Sequence, residues 1–368
     1  MKLGWFGRFM LGLNFFFILL LLLSHLSVHV SPAKIWLLPF FGLLYPYLVL
    51  VNIFFIAWWL LKTRWLFILS LIVLLIGWDH FGRTFRLTAP QVPAEEIQSH
   101  QLLSFNVKNL SNENVVLLNK DIRNQVIDYL RDADPDLMCL QEFLVMHPDP
   151  HSFVDSCSRL FRMPYHAYAR YNEQSKRQVD AIIIFSRLPI INSDRIPFDE
   201  SHNLGVFADL LMFNDTVRLM NVHLESVRLK HEDYRFISGF DFQFEEREGL
   251  RDGVRQIFRK LRLAYTKRAF QVERLSEMIR KSPYPVILCG DFNDTPTSYA
   301  YQRMTRELVD GFRESGRGFG NTYAGILPSF RIDYILYDKM FTSYTFRRDL
   351  IQLSDHYPIS CLISKRIL

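Results

Sequence analysis

The chain changes character near residue 80. From residue 9 to residue 78 the only charged side chains are Lys34, Lys62 and Arg64, whereas later segments mix apolar and charged positions as water-soluble domains do. A polar stretch that contains Pro90 and Pro93 separates the two parts. The pattern therefore predicts three regions, which are a membrane domain in residues 1–82, a linker in residues 83–100 and a globular domain in residues 101–368.

The first region contains three uncharged and strongly apolar runs, in residues 9–30, 35–61 and 65–78. A helix needs about 20 apolar residues to cross the hydrocarbon core of a bilayer. The first two runs meet that length, and for the short third run a helix that lies in the interface is an alternative to a span. Lys2 and Arg8 precede the first run, so a cleaved signal peptide is the alternative there. We predict an uncleaved bundle of about three transmembrane helices.

The cations next to these runs give the orientation of the bundle. Lys2 and Arg8 precede the first run, and Lys62 and Arg64 lie between the second and the third. Loops rich in Lys and Arg face the cytoplasm. Three spans then place the globular domain on the extracytoplasmic side of a bacterial-type inner or plasma membrane. If residues 65–78 only lie in the interface, the globular domain faces the cytoplasm instead.

In the globular domain, short apolar runs alternate irregularly with helical patterns. The apolar runs predict buried strands at residues 102–107, 137–140, 181–185, 204–213, 217–224, 285–289, 331–336 and 357–363. Apolar residues at helical spacing predict helices at residues 119–133 and 267–280. This order lacks the strict alternation of strand and helix that a Rossmann or barrel fold shows, and it favours a sandwich or a covered sheet.

Composition narrows the class of protein. The chain has 368 residues, of which 49% are hydrophobic and 22% charged, which excludes a disordered protein. Its four cysteines are scattered and form no zinc-binding pattern, and the glycines match no phosphate-binding loop. The net charge of +5 permits a phosphate-bearing partner without requiring one.

Several of the predicted strands border on carboxylate, amide or imidazole side chains. These side chains are Asn106, Glu142, His223, Asp291, Asn293, Asp333, Asp355 and His356. If neighbouring strands carry them to one edge of the sheets, they form an acidic pocket that contains two imidazoles. Such a pocket repels itself unless it holds a hard cation, and its oxygen-rich composition favours Mg²⁺ or Mn²⁺ over Zn²⁺.

The motifs around these side chains resemble those of the endonuclease/exonuclease/phosphatase superfamily, which includes nucleases, phosphatases and sphingomyelinases. They are Ser104-Phe105-Asn106, Leu140-Gln141-Glu142, Asn221-Val222-His223-Leu224, Gly290-Asp291-Phe292-Asn293, Arg331-Ile332-Asp333-Tyr334 and Ser354-Asp355-His356. The G-D-F-N and S-D-H elements in this order, downstream of Q-E, make the resemblance specific. It covers nearly all of residues 101–368, and it implies an α/β fold, a four-layer sandwich of two mixed β-sheets flanked by helices.

The resemblance also implies which residues hold the metal and the attacking water. Glu142 would be the principal ligand of Mg²⁺ or Mn²⁺, with Asn106 close to the ion and Asp355 completing or approaching its shell. Asp291 would orient or deprotonate the water, and Asn293 would hold the water and a phosphate oxygen.

The remaining roles implied by the resemblance concern the phosphate. His356 would contact the scissile phosphate, and Asp333 would fix the orientation of its ring. His223 would hold a non-bridging oxygen or assist the leaving group. Tyr171 is the candidate for a tyrosine that helps to bind phosphate in several members, and the other candidates are Tyr165 and Tyr168.

A long charged insert, residues 228–266, departs from the family pattern. Apolar residues recur at helical spacing in its second half and predict an amphipathic basic helix there. Two interpretations are open. The helix either packs on the domain as a solvated element, or it forms a lid or a headgroup-facing surface beside the site, because the insert starts soon after His223.

These observations predict a membrane-anchored, metal-dependent phosphoester hydrolase. A phosphodiesterase or nuclease is the first hypothesis for its function. A phosphatase or phospholipase-type hydrolase that acts on phosphorylated lipid headgroups is the alternative, and an inactive membrane scaffold is the third. The expected partners are the lipid bilayer and a phosphoester substrate, either nucleic acid or a phosphorylated headgroup, and no protein partner can be inferred from the sequence.

Overall fold

The structure is a computed structural model, and it describes residues 3–62, 64–87, 98–110, 120–145, 149–171, 179–199, 201–229, 233, 247–325 and 330–366. The chain begins with five helices, which are α1 Trp5–Ser27, α2 Leu38–Leu43, α3 Tyr45–Leu61, α4 Phe67–Ile76 and α5 Trp78–Thr84. The two-residue strand β1, Phe85–Arg86, follows. We call residues 3–87 the N-terminal module.

The rest of the chain, from residue 98, is called the globular domain and carries thirteen strands among the described residues. They are β2 Ser99–Asn106, β3 Leu137–Val145, β4 Tyr165–Arg170, β5 Val179–Ser186, β6 Ile190–Pro197, β7 Leu204–Met212, β8 Asp215–His223, β9 Val286–Asp291, β10 Val309–Asp310, β11 Gly318–Phe319, β12 Asp333–Tyr337, β13 Phe341–Arg348 and β14 Ile359–Lys365. Its helices are a 3₁₀ turn at Lys108–Leu110, α6 Lys120–Ala133, α7 Pro150–Leu160, α8 Arg247–Lys281, α9 Tyr299–Met304 and α10 Gly311–Ser315.

Twelve of the strands form two mixed sheets of six strands each. The first sheet has the order β10-β12-β9-β8-β7-β6, and the second sheet has the order β13-β14-β2-β3-β5-β4. Strands β8 and β9 of the first sheet are parallel, as are β2 and β3 of the second, while their other described neighbours run antiparallel. Each sheet thus has one parallel pair near its centre.

Three apolar cores lie between four layers. One core packs between the sheets and includes Ile184 and Ile287. A second core lies between the second sheet and helices α6 and α7, and a third lies between the first sheet and helices α8 and α9. The predicted α/β architecture, with two mixed sheets flanked by helices, is confirmed.

All eight predicted strands are present, but three long strands were not predicted. These are β4, β6 and β13, and each lies at the edge of a sheet. The predicted helix at residues 119–133 is α6, and the one at residues 267–280 is the second half of α8. Helix α8 also contains the described part of the charged insert from residue 247 on, and residues 230–232 and 234–246 lie outside the described part of the chain.

The predicted bundle of three transmembrane helices is not supported. Among the described residues, α1 alone is long and apolar enough to cross a membrane, and by these criteria it fits an anchor or a signal sequence. Helices α4 and α5 pass the same test only as a pair that bends by 63° at Gly77. The second apolar run is broken at Leu44 into α2 and the 17-residue α3, because Pro46 in the first turn of α3 cannot continue a preceding helix.

The N-terminal module packs directly on the globular domain. Strand β1 pairs with β11, and the Arg331 side chain donates a hydrogen bond of 2.8 Å to the Arg83 carbonyl oxygen. The first residues of the predicted linker 83–100 therefore belong to α5 and β1, and its last residues begin β2. Residues 88–97 lie outside the part that the structure describes.

Candidate active site

The two parallel strand pairs bring their carboxyl ends to one place. Asn106 is the register partner of Gln141 across β2 and β3, and His223 is the partner of Asp291 across β8 and β9. Strand β12 runs antiparallel to β9, so its first residue, Asp333, pairs with Asp291. The polar residues that border these strands are therefore neighbours, as the sequence pattern predicted.

Unusual backbone conformations aim several of these side chains. Glu142 lies in a β-bulge between Leu140 and Phe143 with φ of 49°, and Asn293 has φ of 52°. Gly290 has φ of 137°, and a Cβ on it would approach the Val222 carbonyl oxygen to 1.9 Å, so no other residue fits there. Bulges commonly redirect a side chain next to an active site.

Two carboxylates and an amide form the centre of the site. The Asn106 side-chain amide donates to Glu142 Oε1 at 3.3 Å and to Asp291 Oδ2 at 3.0 Å. Burial, reinforced by the charge of Asp355, raises the pKa of Glu142. Burial also raises the pKa of Asp291 to about 6. In both groups burial is the largest cause of the shift, because it disfavours the charged form of a carboxyl group.

His356 and Asp333 form a buried pair. The His356 Nδ1 atom lies 2.9 Å from Asp333 Oδ2, and its Nε2 atom lies 3.7 Å from Asp291 Oδ2. Burial opposes a charge on this ring, but Asp333 and Asp291 outweigh it and hold the pKa of His356 well above its usual value. The two carboxylates therefore favour the protonated form of this imidazole. By distance alone, ligand atoms of Asp291, Asp333 and His356 could also hold a metal ion.

Tyr171 reaches the site through His223. Its hydroxyl lies 2.8 Å from His223 Nδ1. Burial raises the pKa of Tyr171 and lowers the pKa of His223, so a phenol donates to a neutral imidazole. The Nε2–H of His223 then faces Glu142 and Asp291, each at 3.6 Å, and Nε2 is buried without a hydrogen-bond partner among the described residues. Of the alternatives, Tyr168 bonds to His151 and Tyr165 is exposed.

The last two predicted residues, Asn293 and Asp355, contact the centre differently. The Asn293 backbone N–H donates to Asp291 Oδ1 at 2.7 Å, and its side-chain amide lies 3.2 Å from Asp291 Oδ2. Asp355 forms an ion pair of 2.8 Å with Lys108. Burial acts to raise the pKa of Asp355, but His356 and Lys108 outweigh it and the pKa is lowered. Of the three predicted metal ligands, Glu142 and Asn106 therefore contact each other, whereas Asp355 pairs with Lys108.

Sequence reasoning missed Lys108 and the support beneath the site. Lys108 lies two residues after Asn106, and this spacing on the same strand end was the available signal. Below the carboxylates, the Gln141 side chain donates to Asn221 Oδ1 at 2.7 Å, and Asn221 donates to the Leu140 carbonyl oxygen at 3.0 Å. Both amides stand inside the quoted motifs, but nothing in the sequence shows that they join the two sheets.

A cavity of about 400 Å³ opens onto the site. Its wall includes Lys108, Glu142, Asp291, Asn293 and His356. This volume falls in the range of small-molecule binding pockets. A phosphate with its ester group therefore has room beside the carboxylates and the imidazole of His356.

The sequence model of the Endonuclease/Exonuclease/phosphatase family matches residues 103–356, and the chain belongs to this family of phosphoester hydrolases. Residues 7–84 match a second family model, which is described as a domain of unknown function. None of the curated proteins compared matches the sequence significantly.

Solved structures with the same fold agree with this assignment. The human Nocturnin catalytic domain with bound sulfate anion is 15% identical, with a TM-score of 0.50 over 78% of this chain and 99% of that chain. TDP2 from D. rerio, complexed with single strand DNA product, is 17% identical, with a TM-score of 0.50 over 73% and 99%. A family protein from Beutenbergia cavernae is 13% identical, with a TM-score of 0.50 over 73% and 72%. At these identities the likeness concerns the fold alone.

Proposed function

We propose that the protein is a divalent-cation-dependent phosphoester hydrolase that acts on phosphodiesters. The observation that carries this proposal is the set of polar side chains around Asp291. The Asp291 carboxylate lies 3.0 Å from the Asn106 amide and within 3.7 Å of the imidazoles of His223 and His356. A scaffold protein gains no stability from buried groups arranged in this way, whereas hydrolysis of a phosphoester uses each of them.

A cation fits the Glu142 side of the cluster. Glu142 offers oxygen ligands beside Asn106, burial and the charge of Asp355 raise its pKa, and Mg²⁺ and Mn²⁺ prefer such carboxylate oxygens. We assign Glu142 as the principal ligand, with Asn106 and Asp355 nearby. The other possible metal site is the set of Asp291, Asp333 and His356. There the hydrogen bond between His356 and Asp333 already engages the imidazole. A divalent cation bound at Glu142 would neutralise charge on the phosphate oxygens.

Asp291 is the proposed base for the attacking water. Its pKa of about 6 makes it a stronger base than an ordinary aspartate, which suits proton transfer near neutral pH. The side-chain amide of Asn293, 3.2 Å from Asp291 Oδ2, orients the same water. The water oxygen bonds to phosphorus, its proton passes to Asp291, and the bond from phosphorus to the leaving oxygen breaks.

The two imidazoles act on the phosphate oxygens. Protonated His356 donates its Nε2–H to a non-bridging oxygen, and Asp333 fixes the ring by accepting from Nδ1. Neutral His223, with Tyr171 donating to its Nδ1, presents a second N–H that binds an oxygen or assists the leaving group. Both donors are fixed before the substrate binds, which is the condition for electrostatic stabilisation of a transition state.

The experiment is an activity screen of the full chain. A phosphodiester, a phosphomonoester and a single-stranded DNA oligonucleotide are incubated with Mg²⁺, with Mn²⁺ and with excess EDTA, and product is quantified by chromatography. We expect hydrolysis of a diester that EDTA abolishes and added Mg²⁺ restores. Full activity in EDTA, or no hydrolysis of any substrate under any condition, contradicts the proposal.

We further infer that residues 1–82 attach the enzyme to a membrane and that residues 101–368 carry the chemistry on the extracytoplasmic side. With Arg8, in the first turn of α1, on the cytoplasmic side, a single span by α1 leads to the extracytoplasmic side, whereas two spans return the chain to the cytoplasm. A reporter fused to the carboxyl end of the full chain tests this inference. Activity of a reporter that works only in the cytoplasm would contradict it.

A further inference from the structure

Helix α2 of the N-terminal module lies directly beside the loop that carries Asn293. The Thr297 hydroxyl, a few residues further on, donates to the Gly42 carbonyl oxygen at 2.8 Å. A Cβ on Gly42 would come within 2.5 Å of the Thr297 carbonyl oxygen, so this approach needs a residue without a side chain. The backbone of the module is therefore in contact with the active-site loop.

Helix α2 also packs on helix α8, the helix of the charged insert. Phe40 stacks on Phe258 with ring centroids 4.7 Å apart and meets Tyr265 edge-on at 5.8 Å. Trp36 lies just before α2, and the guanidinium of Arg262 on α8 is 5.0 Å from the centre of its ring. These contacts hold two apolar surfaces together, one from the module and one from the globular domain.

Both helices contribute to the wall of the active-site cavity. Besides the polar residues of the site, the cavity is lined by Leu43 of α2 and by Leu261 and Tyr265 of α8. A phosphate uses only the polar part of this wall. The apolar part stabilises an apolar group, by roughly fourfold in affinity for each methylene that it buries.

We propose that Leu43, Leu261 and Tyr265 bind an apolar chain of the substrate next to its phosphate. The N-terminal module is then part of the substrate site, and the substrate is a phosphoester of a membrane lipid. This inference rests on the proposed phosphoester hydrolysis and specifies its substrate. A nucleic-acid strand would instead place charged phosphates and sugars against these three side chains.

The surface around α2 favours a membrane as the source of this substrate. Trp36 and Leu37 are 38% and 46% exposed just before α2, and Arg259 and Arg262 are exposed on α8. Tryptophan is enriched at the bilayer interface, and exposed cations attract anionic headgroups. Leu43 thus connects the site to a surface with the chemistry of an interfacial segment.

The test compares two soluble esters that differ only in chain length. The full chain in amphipol is given 4-nitrophenyl methyl phosphate, 4-nitrophenyl octyl phosphate below its aggregation concentration, or a single-stranded oligonucleotide, each with Mg²⁺. We expect kcat/KM for the octyl ester to exceed that for the methyl ester at least tenfold. Leu43→Asn should reduce this ratio at least fivefold, and Leu261→Asn should do the same. Leu44→Asn is the matched control, because Leu44 is exposed and is not one of the described residues that line the cavity. This variant should keep the ratio.

A second arm tests the membrane source. Vesicles of phosphatidylcholine, phosphatidylethanolamine, phosphatidylglycerol and phosphatidylinositol are incubated with the enzyme, and lipid loss is followed by phosphorus NMR. We expect loss of at least one lipid, slowed at least fivefold by Leu43→Asn. If the octyl ester is preferred but no lipid is consumed, the assignment to a membrane lipid is overturned.

The remaining outcomes separate this inference from the proposed function. Equal rates on the two esters, or a ratio unchanged by Leu43→Asn and Leu261→Asn, overturn the apolar site while hydrolysis itself stands. Faster hydrolysis of the oligonucleotide than of the octyl ester overturns the lipid assignment in favour of nucleic acid. No hydrolysis of any ester, oligonucleotide or lipid refutes the proposed function and this inference with it.

Discussion

The N-terminal module and the globular domain use apolar residues in opposite ways. The globular domain packs them into three cores between its layers. The module leaves large apolar side chains exposed, including Trp5, Leu50 and Leu61, while it buries polar ones such as Asn14, which bonds to Ser70 at 2.7 Å. Extended apolar surface of this kind marks an interaction site for a protein or a membrane. We infer that the globular domain carries the reacting groups and that the N-terminal module determines the environment in which they act.

The largest expected effect comes from a substitution in the globular domain, and it tests whether the reacting groups belong to that domain. Glu142→Gln keeps the size of the side chain but removes the charge that we assign to the metal, so turnover should fall by roughly three orders of magnitude or more. The melting temperature should hardly change. The measurement is the initial rate with saturating Mg²⁺, beside Glu277→Gln, a surface substitution at a side chain that pairs with Lys281. Unchanged turnover in Glu142→Gln would remove the proposed metal site.

The second prediction concerns the buried pair of His356 and Asp333. Asp333→Asn and His356→Ala should each lower kcat by roughly 10²–10⁴-fold, the range for positioned acid–base groups. Because the two residues act as a unit, the double substitution should cost no more than about the larger single loss. A double-mutant cycle of kcat measures this coupling. Losses that multiply would show that Asp333 does not act through His356.

The third prediction concerns the contact between the two regions. In Gly42→Ala the new methyl group meets the Thr297 carbonyl oxygen at 2.5 Å and Ser27 Oγ at 2.8 Å. The module and the active-site loop must then separate, at a cost of about 1–3 kcal/mol in the free energy of unfolding. Thermal unfolding of the full chain measures it, with Gly12→Ala as control because, outside its own stretch of α1, no atom of the described residues lies within 4 Å of the added Cβ. Equal stability of the two variants would mean that the regions are not tightly packed at this point.

The smallest effect is a pH dependence inside the globular domain. Burial acts to raise the pKa of Asp136, but hydrogen bonds from His100 and from the Gln101 backbone N–H outweigh it and the pKa is lowered. A carboxyl group with a lowered pKa stabilises the fold above its unfolded pKa of about 3.9, and the contribution is lost as the pH falls through the folded pKa. Because the group is half exposed, we expect at most ~0.5 kcal/mol.

Asp136→Asn tests this dependence. The difference in unfolding free energy between the unsubstituted chain and the variant should be constant from pH 5 to pH 7 and should shrink below pH 4. Denaturant unfolding at each pH gives the difference. A difference that grows towards acid would contradict the assigned direction of the pKa shift.

The interior of the globular domain could be predicted because its central strands are continuous apolar runs that end in polar residues. The edge strands could not, since an edge strand has one side in solvent and needs no such run. In β6, for example, Asn192, Ser193 and Asp194 are exposed. That the motif residues lie close together could be predicted from the strand ends they border, whereas the position of Leu43 could not, because nothing in an apolar run shows which residue will line a distant cavity. The three predicted spans are not supported, because Pro46 ends the second apolar run at Leu44 and because the chain bends at Gly77.

The most direct test of the central claim, that a divalent cation at Glu142 serves hydrolysis in the globular domain, is Mn²⁺ binding measured by electron paramagnetic resonance. The full chain, Glu142→Gln and Asp333→Asn are titrated under identical conditions. We predict one Mn²⁺ site that Glu142→Gln abolishes or weakens at least tenfold and that Asp333→Asn retains. Binding unaffected by Glu142→Gln and lost in Asp333→Asn would contradict the account, because it would place the metal on the set formed by Asp291, Asp333 and His356.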